Sequence, residues 1–154
     1  MNKGTKHTVS VHVDAPPGVV YAAVSDVRRM GEWSPETTKC EWIDGATGPA
    51  VGARFKGSNK RGFLRWSTKP TVVAADPGRE FTFAVDGNVQ WTYSFEPDGA
   101  GTKLSESFEM LKDLPQVYAV VERYLMRVKD RGADLERGMT ETLERIKQAV
   151  ERES

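Results

Sequence analysis

A chain of 154 residues and 17.1 kDa can bury one core without disulfide or metal staples. Its 22 basic and 22 acidic side chains cancel to a formal net charge of zero, which disfavours nucleic acid and an anionic membrane as default partners, although a local patch escapes that argument. The single Cys40 excludes an internal disulfide, nothing at the start reads as a signal peptide, and no apolar run approaches the roughly 20 residues of a membrane span, so a cytoplasmic protein without stable membrane insertion is expected.

Thr8 to Val13 alternates, with Val9, Val11 and Val13 on one face, and predicts a half-buried strand. Asp14-Ala15-Pro16-Pro17 then opens a helix, with Asp14 or Ala15 at the cap and proline in the first turn. Val19, Val20, Ala23 and Val24 form its apolar stripe. A second short turn or helix is predicted over Asp26 to Met30, capped by Asp26 and ended by Trp33-Ser34-Pro35. Thr37 to Ile43 reads as a strand carrying Thr38, Cys40 and Trp42 on one face. Gly52 to Lys60 is another, with Ala53, Phe55, Gly57 and Asn59 together.

Leu64, Trp66 and Thr68 share a face of the next strand, predicted to run on to Ala75 with a bulge or edge at Pro70, which cannot donate to a ladder. Glu80 to Val85 presents Phe81 and Phe83 to one side, and Asp86-Gly87-Asn88 is a tight hairpin signal. Val89 to Glu96 and Thr102 to Met110 close the series. They repeat Trp91, Tyr93 and Phe95, then Leu104, Phe108 and Met110, at every second or fourth position. Short connections make these six strands an antiparallel meander.

From Leu114 the period becomes helical through Val117, Val121, Tyr124, Val128, Leu135, Met139, Leu143, Ile146 and Val150. Gly132 and Gly138 argue against one unbroken rod and predict a bend or break between Lys129 and Ala133. The whole is a single α+β domain over 1–154, with 1–6 and 152–154 expected to be flexible.

A leading strand, two short helices, a curved antiparallel sheet of about seven strands and a long C-terminal helix resemble the helix-grip fold. The chain is similar to the START-like (SRPBCC) superfamily in its polyketide cyclase/dehydrase branch. The stretches that carry the resemblance are Val13-Asp14-Ala15-Pro16, Glu32-Trp33-Ser34-Pro35, Gly52-Ala53-Arg54-Phe55-Lys56-Gly57, Pro77-Gly78-Arg79-Glu80-Phe81, Gly101-Thr102-Lys103-Leu104-Ser105-Glu106 and the closing helix from Gly138 to Lys147. The resemblance implies a deep, mostly apolar cavity between sheet and last helix that holds a small hydrophobic molecule. Some such proteins cyclise or aromatise polyketides, and others bind lipids, quinones or hormones. No catalytic motif transfers residue by residue, so fold implies a pocket and not a reaction.

Glu106 falls at the two-residue period between Leu104 and Phe108, which turns a carboxylate toward the apolar face. Lost hydration would raise its pKa and suit it to acid–base work or to anchoring a ligand hydroxyl or amine. The alternative is a strand-end residue that reaches water or an arginine. Asn59 and Tyr93 share the inward face. The expected ligand-binding set is Trp42, Phe55, Asn59, Trp66, Phe83, Trp91, Tyr93, Glu106, Phe108 and Met139, with Glu106 and Tyr93 as catalytic candidates. Each tryptophan is as readily structural, and Trp33 reads as a plug between the short helices and the sheet. His12 points away from the core and His7 stands near the flexible end, so neither a metal site nor a Ser-His-acid triad is expected, and no cofactor. On the last helix, Glu141 and Arg145 are spaced for an i,i+4 ion pair.

Three readings follow: a binder of a small hydrophobic or polycyclic molecule, a cyclase or dehydratase using Glu106 and Tyr93, and an interaction module with a filled core. Tyr118, Leu125 and Met126 lie off the main helical stripe and could serve the third. Monomer and homodimer stay equally open.

Overall fold

The alternation in the sequence is realised as eight strands in a computed structural model that describes residues 2–113 and 131–153. In chain order the elements are β1 (Lys6–Val13), α1 (Pro17–Ser25), a 3-10 turn (Val27–Arg29), α2 (Met30–Trp33), β2 (Thr37–Ile43), β3 (Arg54–Arg61), β4 (Leu64–Thr68) and β5 (Thr71–Asp76). They are followed by β6 (Glu80–Val85), β7 (Val89–Asp98), β8 (Gly101–Met110) and α3 (Arg131–Glu153). All ladders are antiparallel, in the order β1-β8-β7-β6-β5-β3-β2, with β4 paired only to β3. The sheet curls, and α3 closes its concave side. This is the α+β helix-grip architecture.

The strand predicted from Leu64 to Ala75 is two strands. β4 pairs with β3 from Arg61–Leu64 to Gly57–Thr68, and the chain then turns a corner at Lys69-Pro70 before Thr71 meets Arg54. Pro70 has no N–H for a ladder, but its carbonyl accepts from the Phe55 N–H at 3.2 Å. The predicted Asp14 or Ala15 cap of α1 is also corrected. Pro16 occupies the cap in extended geometry with no side-chain bond, and the Asp14 N–H donates instead to Glu151 Oε2 at 2.8 Å. Asp26 does cap the 3-10 turn, accepting from the Arg28 N–H at 3.2 Å.

Within the described residues α3 runs unbroken through Gly132 and Gly138, about 34 Å at 1.5 Å per residue. Its packing outweighs the weak helix propensity of the two glycines. Of the bend or break predicted between Lys129 and Ala133, the stretch from Arg131 to Ala133 is helical, and its Lys129 end lies outside the described residues. So do Val117, Tyr118, Val121, Tyr124, Leu125, Met126 and Val128. Arg145 and Glu141 pair as their spacing predicts. Among the described residues no helix is long and apolar enough to cross a membrane.

Two apolar clusters hold the fold. The C-terminal half of α3 buries Leu143, Ile146, Ala149 and Val150 against Val20 and Val24 of α1 and against Phe81, Phe95 and Leu104 of the sheet. Its N-terminal half sets Leu135 and Met139 on Phe108 and Met110. Burying a side chain of this size contributes roughly 1.5–3 kcal/mol, so either half is anchored by several times thermal energy. Trp33 is 2% exposed beneath the Arg29 guanidinium, which sits 5.1 Å from its ring centroid. His7 is not at a loose end. It pairs with Phe108 in the ladder, shares the inner face with Val9, and brings Nδ1 to 3.0 Å from Glu136 Oε1 on α3.

Candidate functional site

A cavity of about 290 Å³ lies between the concave sheet and the N-terminal half of α3. Its origin is a shortage of side-chain volume between the two clusters. Gly57 faces inward from β3 between Phe55 and Asn59. A Cβ there would meet only Thr68 Oγ1 at 3.4 Å and Cys40 Sγ at 3.5 Å. Across the cavity Gly138 of α3 leaves similar room, its nearest atom being Pro35 Cγ at 3.7 Å. Two glycines on facing walls thus keep open a space that larger residues would fill.

Of the ligand-binding set expected from the sequence, Phe55, Asn59, Trp66, Phe83, Trp91, Tyr93, Glu106, Phe108 and Met139 line this cavity. Trp42 does not. Two residues along the edge strand from cavity-lining Cys40, it packs edge-to-face on Phe55 with ring centroids 5.8 Å apart. Strand alternation places Trp42 on the inner face but says nothing about how far along the strand the hollow extends. The walls brace one another: Phe55 meets Phe83 at 5.2 Å and Trp91 meets Phe108 at 5.0 Å, both T-shaped.

Glu106 is 3% exposed, directly across the β7–β8 ladder from Tyr93. The Tyr93 hydroxyl donates to Glu106 Oε2, while Oε1 is buried with no hydrogen-bond partner among the described residues. Burial pushes the Glu106 carboxyl up to about 8, opposed by the Tyr93 bond. Burial, and then the neighbouring carboxyl, hold the Tyr93 hydroxyl well above its usual range. At neutral pH the site therefore holds a protonated acid able to donate to a carbonyl. Once ionised, it accepts from a hydroxyl or amine.

Asn59 Oδ1 accepts from the Thr37 hydroxyl at 2.9 Å, and its amide reaches only the Gly57 carbonyl at 3.5 Å. Cys40 is buried with its thiol pushed up to about 12 by desolvation, so at neutral pH it is an apolar wall and not a nucleophile. His12 lies on the outer surface, its Nδ1 2.8 Å from Asp98 and its Nε2 3.1 Å from Asp14, carboxylates that raise its pKa. Neither histidine lines the cavity.

One feature of the site escapes a reading of the sequence. Arg61 of β3 donates from Nη1 and Nη2 to the two oxygens of Asp134 at 2.8 and 2.9 Å, and from Nη1 to Glu36 at 3.2 Å. Glu36 and Asp134 both line the cavity. The guanidinium thus ties β3, the segment before β2 and the start of α3 together at the cavity's edge. Thr142, Gly138 and Asp134 also belong to the lining. For Gly138 and Thr142 the available signal was their spacing of three from Leu135 and Met139, and Asp134 stands four before Gly138, since helix neighbours three and four apart share a face.

A curled sheet gripping a C-terminal helix, with an apolar hollow and one buried polar pair between them, defines a ligand-binding fold of the START-like (SRPBCC) superfamily. The chain belongs to the polyketide cyclase / dehydrase and lipid transport family, whose model matches residues 4–151. Among solved structures it is similar to the Polyketide_cyc-like protein Cgl2372 from Corynebacterium glutamicum, with 38% identity over 99% of this chain and 95% of that one and a TM-score of 0.66. The fold alone is shared with TTHA0849 from Thermus thermophilus, at 16% identity, TM-score 0.70 and coverage of 97% and 99%. It is shared likewise with major latex-like protein 151 from Panax ginseng, at 15% identity, TM-score 0.67 and coverage of 97% and 96%. No curated protein matches the chain.

Proposed function

We propose that the protein binds a small, uncharged, mostly apolar molecule in this cavity, and that Glu106 with Tyr93 anchors its one polar group. The observation that carries this reading is the unpartnered Glu106 Oε1, a buried polar atom on the wall of an apolar hollow. Leaving such a group unbonded costs roughly 1–3 kcal/mol, which a ligand donor or acceptor would recover. Among the described residues no lysine or arginine lines the cavity, and its other carboxylates, Glu36 and Asp134, are tied to Arg61. A carboxylate or phosphate ligand would therefore find no counter-charge. The volume lies near the small end of ligand sites, which run from about 300 to 1,000 Å³, so a compact molecule fits better than a long acyl chain. The flat walls of Trp66, Phe83, Trp91 and Phe108 suit a planar quinone-like or polyketide-like body.

Native mass spectrometry of freshly purified protein tests this directly. A retained neutral ligand is expected, together with quenching of tryptophan fluorescence on titration with a neutral aromatic ketone and at least tenfold weaker binding in Glu106→Gln. Absence of both a retained molecule and quenching defeats the reading. A second reading, cyclase or dehydratase, is favoured by the Tyr93–Glu106 pair itself. A neutral buried acid can protonate a departing hydroxyl, while Tyr93 orients its carboxyl. Turnover of the retained molecule by wild type, lost in both Glu106→Gln and Tyr93→Phe, would distinguish an enzyme from a carrier.

A further inference from the structure

The chain's zero net charge conceals a segregated surface. The outward faces of β2, β3 and β4 carry Lys39, Arg54, Lys56, Lys60 and Arg65, and Lys69 follows β4; Arg54 is neutralised by Asp44, and Glu41 offsets one of the others, for a local net charge of +4. The ladder sets Lys60 opposite Arg65 and Lys39 opposite Ser58, so these charges lie side by side. Lys39, Lys60, Arg65 and Lys69 are exposed, and no ion pair engages them among the described residues. One pair beyond Lys60 and Arg65, the hairpin turns through Gly62, at φ 60°, and Phe63, whose ring is 78% exposed. A two-residue turn with glycine leading matches the twist of the flanking strands, and Phe63 stands exposed at its tip.

We infer that this hairpin is a peripheral docking surface for an anionic lipid bilayer, with Phe63 entering the headgroup boundary and the basic collar resting on acidic headgroups. An apolar tip ringed by cations is the chemistry of an interfacial binder, in which apolar burial and attraction to anionic lipid add. A single-stranded nucleic acid would call for aromatic side chains on the basic face, on which bases stack. Between Lys39 and Lys69 that face presents Lys, Glu, Ser, Arg and the aliphatic Ile43, and no aromatic ring. The inner side of the same hairpin contributes Asn59, Trp66 and Thr68 to the cavity wall. The docking surface stands, however, whether or not the cavity is occupied.

Vesicle sedimentation with the full chain tests this inference. Binding is expected to phosphatidylcholine vesicles containing phosphatidylglycerol, to weaken with added salt, and to be at least tenfold weaker on pure phosphatidylcholine. Lys60→Gln with Arg65→Gln should weaken partitioning about 30-fold, taking roughly fivefold per basic side chain. Phe63→Ser should weaken it roughly tenfold. Val51→Ser, which alters an equally bare residue (72% exposed) in the loop between β2 and β3, should leave it unchanged. Circular dichroism confirms that each variant is folded. Equal binding to both vesicle types, no loss in the double variant, or equal loss in the Val51 and Phe63 variants would overturn the assignment. So would tighter binding to an oligonucleotide, sensitive to the same lysine and arginine, than to the acidic vesicles.

Discussion

Glu106 has one carboxyl oxygen bonded by Tyr93 and the other without a partner among the described residues, so ionising it inside the fold is costly. The folded carboxyl titrates at about 8, against about 4.3 when unfolded. Between those values the folded state holds a proton that the unfolded state has released. Wild-type stability therefore falls as pH rises through that window and levels off above it. Glu106→Gln removes the titration. We expect the variant to match wild type near pH 4 and to exceed it at pH 8 by about 4–5 kcal/mol, read by urea unfolding across that range. Parallel pH profiles would show that the carboxyl is hydrated after all. Tyr93→Phe removes the one bond that favours the ionised form, so its decline should continue to higher pH than in wild type. The placement of Glu106 was legible because strand alternation is strict: residues 104, 106 and 108 must share a face. Its protonation was legible only as a tendency, since the Tyr93 bond depends on the register of two strands.

Elements were legible where one period ran through them, and less so where tertiary contacts decide. The alternation in β1, β2, β6, β7 and β8 and the helical stripe of α3 were readable within a few residues. The split at Lys69-Pro70 was only half visible. Proline marks a disturbance, but whether the strand bulges or turns a corner depends on which neighbour claims Phe55. Gly132 and Gly138 lie within the described helix for the same kind of reason, because helix propensity is a weak term beside an apolar face packed along its length. The Arg61–Asp134 tie had no local signal, its partners standing 73 residues apart. It is nonetheless a partly buried, two-pronged bond between β3 and α3. We expect Arg61→Gln to cost about 1–2 kcal/mol in urea unfolding, less at high salt. No change would mean that the apolar clusters alone hold the helix to the sheet at this end.

At the scale of the whole molecule, one helix secured at both halves spans a curved sheet, and two facing glycines leave the middle unfilled. Packing at the ends and a hollow between them are compatible because the clusters around Leu143 and around Met139 are separately braced. A hollow with such walls contributes less dispersion energy than a filled one, and a bound molecule would supply what is missing. Any ligand that binds only the folded state stabilises it by RT ln(1 + [L]/Kd), about 2.7 kcal/mol at a hundredfold excess over Kd, or several degrees in Tm for a chain of this size. Gly57→Leu separates the space from the fold. Its backbone is free of positive φ, and the first carbon would sit at ordinary contact distance from Thr68 and Cys40, so the rest of the side chain projects into the hollow. We expect Gly57→Leu to unfold within a few degrees of wild type while losing the ligand-induced rise in Tm. A full rise in this variant would place the ligand elsewhere on the protein, even with the Glu106 pH profile intact.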